Sequence, residues 1–367
     1  MFRIEMLPAY EGDSLWIEYG RAEEPRHLVI DAGRKETYQA LVERLVALEG
    51  PVELFVMTHI DDDHIFGAVP LFADARVEPT IFKDVWYNGY THLDPTIARR
   101  PEPDTLGPVN GEIFAALLLK GHYPWNESFD RGATIVVPKT GELPRVQLSD
   151  GMTLTILSPT WESLSALKDF WERELEDLPA DFQPGHAERA LEIFSDRRVL
   201  QPDMLGGLID VEDLIERPYK SDTKPPNGSS IVFLAEHDGH AVLFTGDAHP
   251  PILERAIERL LHERGETILS LDAFKISHHG SKNNTSPNLL ELVDCRRFLI
   301  STNGARHDHP DQEAIARIVY RNHQVSEPTE LYFNYRTEQN AVWDDEELKE
   351  EWNYRTHYPP EGNLIKL

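Results

Sequence analysis

The segment Thr58-His59-Ile60-Asp61-Asp62-Asp63-His64 constrains this chain more than any other. It places two imidazoles and three carboxylates within six residues, directly after the apolar run Val52-Glu53-Leu54-Phe55-Val56-Met57. Such a run predicts a buried strand. A strand whose exit carries imidazole and carboxylate together offers donors for a divalent ion. Imidazole suits zinc and other transition metals, and carboxylate oxygen suits harder ions. The plainer reading is a solvated acidic turn with two incidental histidines, and clusters further along the chain weigh against it.

Ligand-type residues recur at the ends of predicted strands. Phe244-Thr245-Gly246-Asp247 puts a carboxylate just past one strand. Ala273-Phe274-Lys275-Ile276-Ser277 leads into His278-His279-Gly280-Ser281-Lys282. His309 follows the Leu299-Ile300 strand, and Asn227 opens the strand at Ser230-Ile231-Val232-Phe233-Leu234. Loops on one rim of a sheet converge in space, so residues distant in sequence can share one site.

The first hundred residues alternate strand and helix. Leu15–Tyr19 and His27–Ile30 predict strands, and the apolar spacing within Thr37–Leu48 predicts a helix that Gly50-Pro51 ends. Between about Trp86 and Pro226 the chain is rich in Pro, Trp and acidic residues, with helices expected over Ile113–Lys120 and Trp161–Leu178. Two strands inside it flank Asp150-Gly151, a two-residue hairpin turn by composition, as Asp238-Gly239 is later. Part of this middle predicts an insertion on a β-rich scaffold. Helices are expected again over 251–263 and Gln312–Asn322. Residues 336–367 predict a charged tail.

Composition limits partners. The formal net charge is -28, which repels polyanions at long range, so long nucleic acid is a doubtful partner. Cys295 is the only cysteine, so no internal disulfide can form, as suits a reducing compartment. It lies among apolar residues and is expected in the core. The N-terminus has no signal-peptide pattern, and no apolar stretch approaches the ~20 residues of a membrane span. The expectation is a cytoplasmic protein without a membrane partner, of undefined oligomeric state. His92, His122, His186, His237 and His240 lack ligand spacing, and His249, close after Asp247, is as well explained by solvent. Trp86, Trp125, Trp161 and Trp171 are expected to pack.

Taken together, the motifs resemble those of metallo-β-lactamase-fold hydrolases. The usual His-x-His-x-Asp-His signature here has Asp61 at the second histidine. That variant is similar to the hydrolase domain of ComEC competence proteins and its free-standing relatives. Asn227-Gly228-Ser229-Ser230, Thr245-Gly246-Asp247, residues 278–282, His309-Pro310, Gly12-Asp13-Ser14 and Asp31-Ala32-Gly33 fit the same branch. The resemblance implies an α/β, four-layer αββα sandwich over residues 1–335, with a helical insertion at about 86–226. It implies one or two divalent ions, Zn2+ or Mn2+. Asp63, His64 and one of His278 and His279 would hold one ion, Asp247 would bridge, and His59 with Asp61 would hold the other. The usual third histidine of that second position has no clear equivalent, and Asn227 lies near its place.

The resemblance implies a metal-dependent phosphodiesterase or nuclease acting through activated water, with a phosphodiester or nucleotide as substrate. Asp61 or Asp63 would orient the nucleophile. Lys282 and His309 would contact a phosphate or protonate the leaving group, and Asn227 and Ser281 would line the substrate site. A surface position is the plain alternative for Lys282. The fold also hosts lactone, thioester and amide hydrolysis. A binding module that keeps its metal for structure is the third expectation.

Overall fold

A computed structural model of the chain describes residues 1–93, 109–175, 209–323 and 326–367. Strand alternation decides how its layers form. β1 (Phe2–Met6), β2 (Leu15–Arg21), β3 (Glu24–Ile30), β4 (Leu54–Val56) and β5 (Val85–Trp86) lie side by side in that order. Successive strand residues point to opposite faces. Ile17, Leu28, Leu54 and Val56 therefore pack into one core, and Trp16, Val29 and Phe55 into another. The second core is closed by helices at Tyr38–Ala47, Ala68–Ala73 and Val109–Lys120, which contribute Leu41, Leu71 and Phe114.

The later strands are β6 (Arg145–Gln147), β7 (Thr153–Ser158), β8 (Val232–His237), β9 (His240–Phe244), β10 (Leu269–Leu271), β11 (Ala273–Lys275), β12 (Val293–Cys295), β13 (Arg297–Ile300), β14 (Thr329–Phe333), β15 (Tyr354–His357) and β16 (Leu364–Lys366). Eight of them form a second sheet in the order β15-β14-β13-β11-β9-β8-β7-β6, while β10 and β12 pair with each other. The inner faces of the two large sheets share one core, in which Ile4 and Ile17 join Ile156, Phe233 and Leu243. Helices at Pro250–Arg264 and Gln312–Asn322 add Leu253, Ile257, Ile315 and Ile318 to it. The result is the expected α/β sandwich of helix, sheet, sheet and helix. β9, β11 and β13 run parallel, so their carboxyl ends open on one rim.

Three expectations change. The Asp238-Gly239 turn has two residues, since His237 faces His240, but the earlier one has three: Leu148 N–H donates to Met152 O at 2.8 Å across Ser149, Asp150 and Gly151. The charged tail is built into the scaffold. β15 adds a parallel edge strand to β14, and β16 pairs antiparallel with β1. Each is only three or four residues long, too short for a period-2 pattern to show in the sequence. The segment 86–226 is not one separate insertion either, because β6 and β7 extend the second sheet. The helix expected over Trp161–Leu178 is described as Trp161–Leu175, and its last three residues lie outside the described residues, as does His186. Trp86, Trp125 and Trp171 are buried, and Cys295 is a buried free thiol.

Trp343 anchors the C-terminal segment. It is fully buried, its indole N–H donates to Gln312, and its carbonyl accepts from the Tyr354 hydroxyl. Trp343→Ala should cost about 3–5 kcal/mol, the usual loss for a buried indole. Chemical denaturation would measure it, and an unchanged midpoint would show the segment to be dispensable to the core.

Candidate metal centre

Backbone geometry brings the donors together. After β4, Asp61 turns the chain into a one-turn helix, Asp62–Ile65, which swings Asp63 and His64 back over the strand end. Gly12 presses on this turn so closely that a Cβ there would lie 1.6 Å from the Asp63 carbonyl oxygen, which explains glycine in Gly12-Asp13-Ser14. After β11, His278 and His279 both take left-handed backbone angles, with φ of 49° and 55°. Such conformations are unfavourable for non-glycine residues and survive only where surroundings enforce them. Here His278 N–H donates to Gly246 O at 3.0 Å.

Four imidazoles then meet one carboxylate. His59 Nε2 and His278 Nε2 lie 3.7 and 3.6 Å from Asp247 Oδ2. His64 Nε2 and His279 Nε2 lie 3.4 and 3.8 Å from Asp247 Oδ1. Asp63 Oδ2 is 3.4 Å from His279 Nε2. The geometry thus divides into two halves, one on each oxygen of Asp247. The two neighbouring histidines 278 and 279 fall on different halves.

The opposite edge of each ring is fixed by an acceptor. His64 Nδ1 lies 2.7 Å from Asp31 Oδ2, and His279 Nδ1 donates to Ser301 O at 2.8 Å. His278 Nδ1 lies 3.0 Å from Asn284 Oδ1. The amide orientation of Asn284 is set by its own NH2, which donates to Asp222 and to Asp247 O, so Oδ1 must accept from His278. Thr58 Oγ1 donates to Asp31 at 2.7 Å and can accept from His59 Nδ1 at 3.0 Å. With Nδ1 turned to an outer acceptor in each ring, every Nε2 is the atom that faces Asp247. Outer partners of this kind orient imidazole ligands in metal sites.

The residues fit a divalent cation. His59 Nε2 and Asp247 Oδ1 are buried and without a hydrogen-bond partner, and His59, His64 and Asp247 can bring ligand atoms together. Buried polar atoms are rarely orphaned unless something else satisfies them. Two imidazoles and an aspartate on each half match borderline metals such as zinc, and the added carboxylates favour harder ions.

Charge within the cluster is finely opposed. Burial works against a charged His279, but Asp247 and Asp13 outweigh it and carry the imidazole up to about 10. Burial opposes His64 too, and Asp247 with Asp31 holds it well above its ordinary value. His59 goes the other way, to about 3, through burial and the neighbouring His64. Burial, with Asp63 and Asp247 beside it, pushes the half-buried Asp61 up to about 7. Asp63 is held well below the usual carboxylate range, because the His279 contact and His64 overcome its burial.

Other expected site residues are placed differently. Lys282 is half-exposed, and its ammonium pairs with Glu313 at 3.2 Å rather than with the cluster. The Ser281 hydroxyl accepts from Asn283 N–H at 3.3 Å and serves the turn. Asn227 is fully buried; its NH2 donates to Asp222 at 2.6 Å and lies 3.4 Å from His278 Nδ1, so it packs behind a donor ring. His309 is buried with its ring centroid 5.2 Å from that of His278, and burial and the His278 charge hold it well below its ordinary value. The His249 ring Nε2–H donates to Lys224 O at 3.0 Å. The supporting roles of Asp222, Asn284 and Lys275 were missed. Only Lys275, a cation inside an apolar strand, left a trace in the sequence.

No protein-family model matches the sequence, and no curated protein matches it. Solved structures do. The metallo-β-lactamase fold protein YhfI from Bacillus subtilis aligns over 100% of both chains, at 9% identity and a TM-score of 0.41. Zn2+-bound PqqB from Methylobacterium extorquens aligns over 100% of both chains, at 11% identity and 0.40. The short form of human tRNase Z aligns over 100% of this chain and 99% of its own, at 10% identity and 0.38. At such distances, what those proteins bind or cut stays with them. The two facing sheets between helical layers define the fold here.

The raised values of His64 and His279 mean that both rings hold protons at neutral pH in the metal-free protein. A metal must displace them, so binding should release protons and tighten as pH rises from 6 toward 9. Calorimetric titration with Zn2+ or Mn2+ in buffers of different ionisation enthalpy would measure the release. Uptake without proton release would contradict this arrangement.

Proposed function

We propose that the protein is a metal-dependent hydrolase, and that its substrate is a small phosphodiester or nucleotide. The observation that carries the reading is the convergence of four imidazole Nε2 atoms on the two oxygens of Asp247. In this reading His59, His278 and Asp61 would hold one divalent ion, and Asp63, His64 and His279 the other, with Asp247 between them. Bound there, divalent ions would supply an acidified water and a clamp on the scissile group.

The protein's own residues would do the rest. Asp61 is half-buried and close enough to Asp63 and Asp247 to feel their charge, and in this reading its carboxylate accepts a hydrogen bond from the attacking water. Asp63, held ionised, keeps negative charge beside His279. His309 is neutral, so it can hydrogen-bond a substrate oxygen but does not start as an imidazolium acid. Lys282, drawn to Glu313, is set aside as proton donor. The net charge of -28 favours a short substrate over a long polyanion, whose binding depends on neutralising many phosphates.

Metal-stripped protein reloaded separately with Zn2+ and Mn2+ should hydrolyse bis-p-nitrophenyl phosphate. Asp63→Ala should lower turnover by at least about 100-fold and remove one metal equivalent, with the circular dichroism spectrum unchanged, because it deletes a donor at one half of the site. A fully active Asp63→Ala enzyme would remove the site assignment. Full metal loading without turnover would move the reading to lactone or amide substrates or to a binding module that keeps its metal for structure, and absence of metal uptake would remove the metal-dependent reading.

A further inference from the structure

A buried ion pair lies behind the metal centre, and the reaction as proposed does not use it. Lys275, the last residue of β11, is 1% exposed. Its ammonium lies 2.7 Å from Asp13 Oδ2 and donates to Ile276 O at 2.9 Å. Asp13 is also buried, and its other oxygen, Oδ1, has no hydrogen-bond partner in its own right. That oxygen lies 3.4 Å from His279 Nδ1, the atom that donates to Ser301 O. Lys275, Asp13 and His279 therefore form a line from the core of the second sheet to the donor nitrogen facing Asp63 and Asp247.

A buried pair of this kind rarely adds stability over an apolar pair of the same shape, because desolvation offsets the attraction. Packing alone does not call for a lysine at 275, whose chain neighbours Phe274 and Ile276 are both buried and apolar. The chemistry of His279 does. A carboxylate on the far nitrogen of an imidazole fixes its tautomer and strengthens it as a donor. A lysine on the remote oxygen of that carboxylate keeps it ionised in a site already crowded with acid groups.

We propose that Asp13 and Lys275 are positioning residues that reinforce, beside the Ser301 carbonyl, the Nδ1–H orientation of His279 and set the metal affinity of the half of the site formed by Asp63, His64 and His279. The proposal rests on the reading of His279 as a metal ligand. In this proposal Asp13 acts through His279, whose Nδ1 it meets at 3.4 Å, and Lys275 acts through Asp13. The two act as a unit whose loss is felt at one half of the centre and not at the half formed by His59 and His278.

The test separates positioning from stability. Asp13→Asn leaves Lys275 buried without its counter-charge, so melting temperature should fall. The double variant Asp13→Asn, Lys275→Met removes both charges at similar volume, so the melting temperature of metal-free protein should return toward wild type. Zn2+ and Mn2+ titrations of both variants should show one of two metal equivalents weakened about 10- to 100-fold, the usual effect of losing such a partner. Recovery of metal affinity together with melting temperature in the double variant would overturn the proposal, as would wild-type affinity in both variants. A wild-type protein that binds two metals without phosphodiester turnover would end the proposed function and leave this inference standing. A wild-type protein that binds no metal would end both.

Discussion

Asp247 is a buried anion whose two oxygens each face two imidazole nitrogens. An isolated carboxylate in such a place would be prohibitively costly, so its surroundings must supply positive charge. Protons on His64 and His279 supply it in the metal-free protein, and divalent ions would supply it more strongly. Much else in the structure follows from this demand. The strand ends must converge, the ring tautomers must be fixed, and each outer acceptor must be anchored in turn.

That anchoring runs through both sheets. Asp31 follows β3 and takes His64 and the Thr58 hydroxyl. Asn284 and Asp222 form a small network behind His278. Asp13 and Lys275 stand behind His279, and Ser301 after β13 accepts from the same ring. The loops are also tied across layers. Ile231 N–H donates to Thr58 O at 2.9 Å, and Ser301 Oγ donates to Gly12 O at 2.8 Å. The loops that carry the donors are thus tied to each other across the two sheets.

Much of this was legible in the sequence where local periodicity and side-chain chemistry coincide. The helix at Gln312–Asn322 has a strong apolar stripe and lies where its spacing placed it. The strand into His59 and the turn at Asp238-Gly239 were equally plain. Short edge strands were not, because three or four residues carry no period. β15 and β16 therefore passed for a charged tail until their partners β14 and β1 were seen. Lys282 shows a related limit: its place beside two histidines said nothing of Glu313, thirty-one residues on, with which its ammonium pairs.

By itself the sequence determined which chemical groups stand at the strand exits, because residue type and strand pattern are local properties. It could name His278 and His279 as a pair but not divide them. Only the tertiary structure decided that their left-handed turn sends one ring to each oxygen of Asp247. Only the structure showed that Asn284 and Ser301 take the outer edges of those rings. Tautomer, pairing and burial depend on groups brought from other strands, and no local pattern encodes that distance.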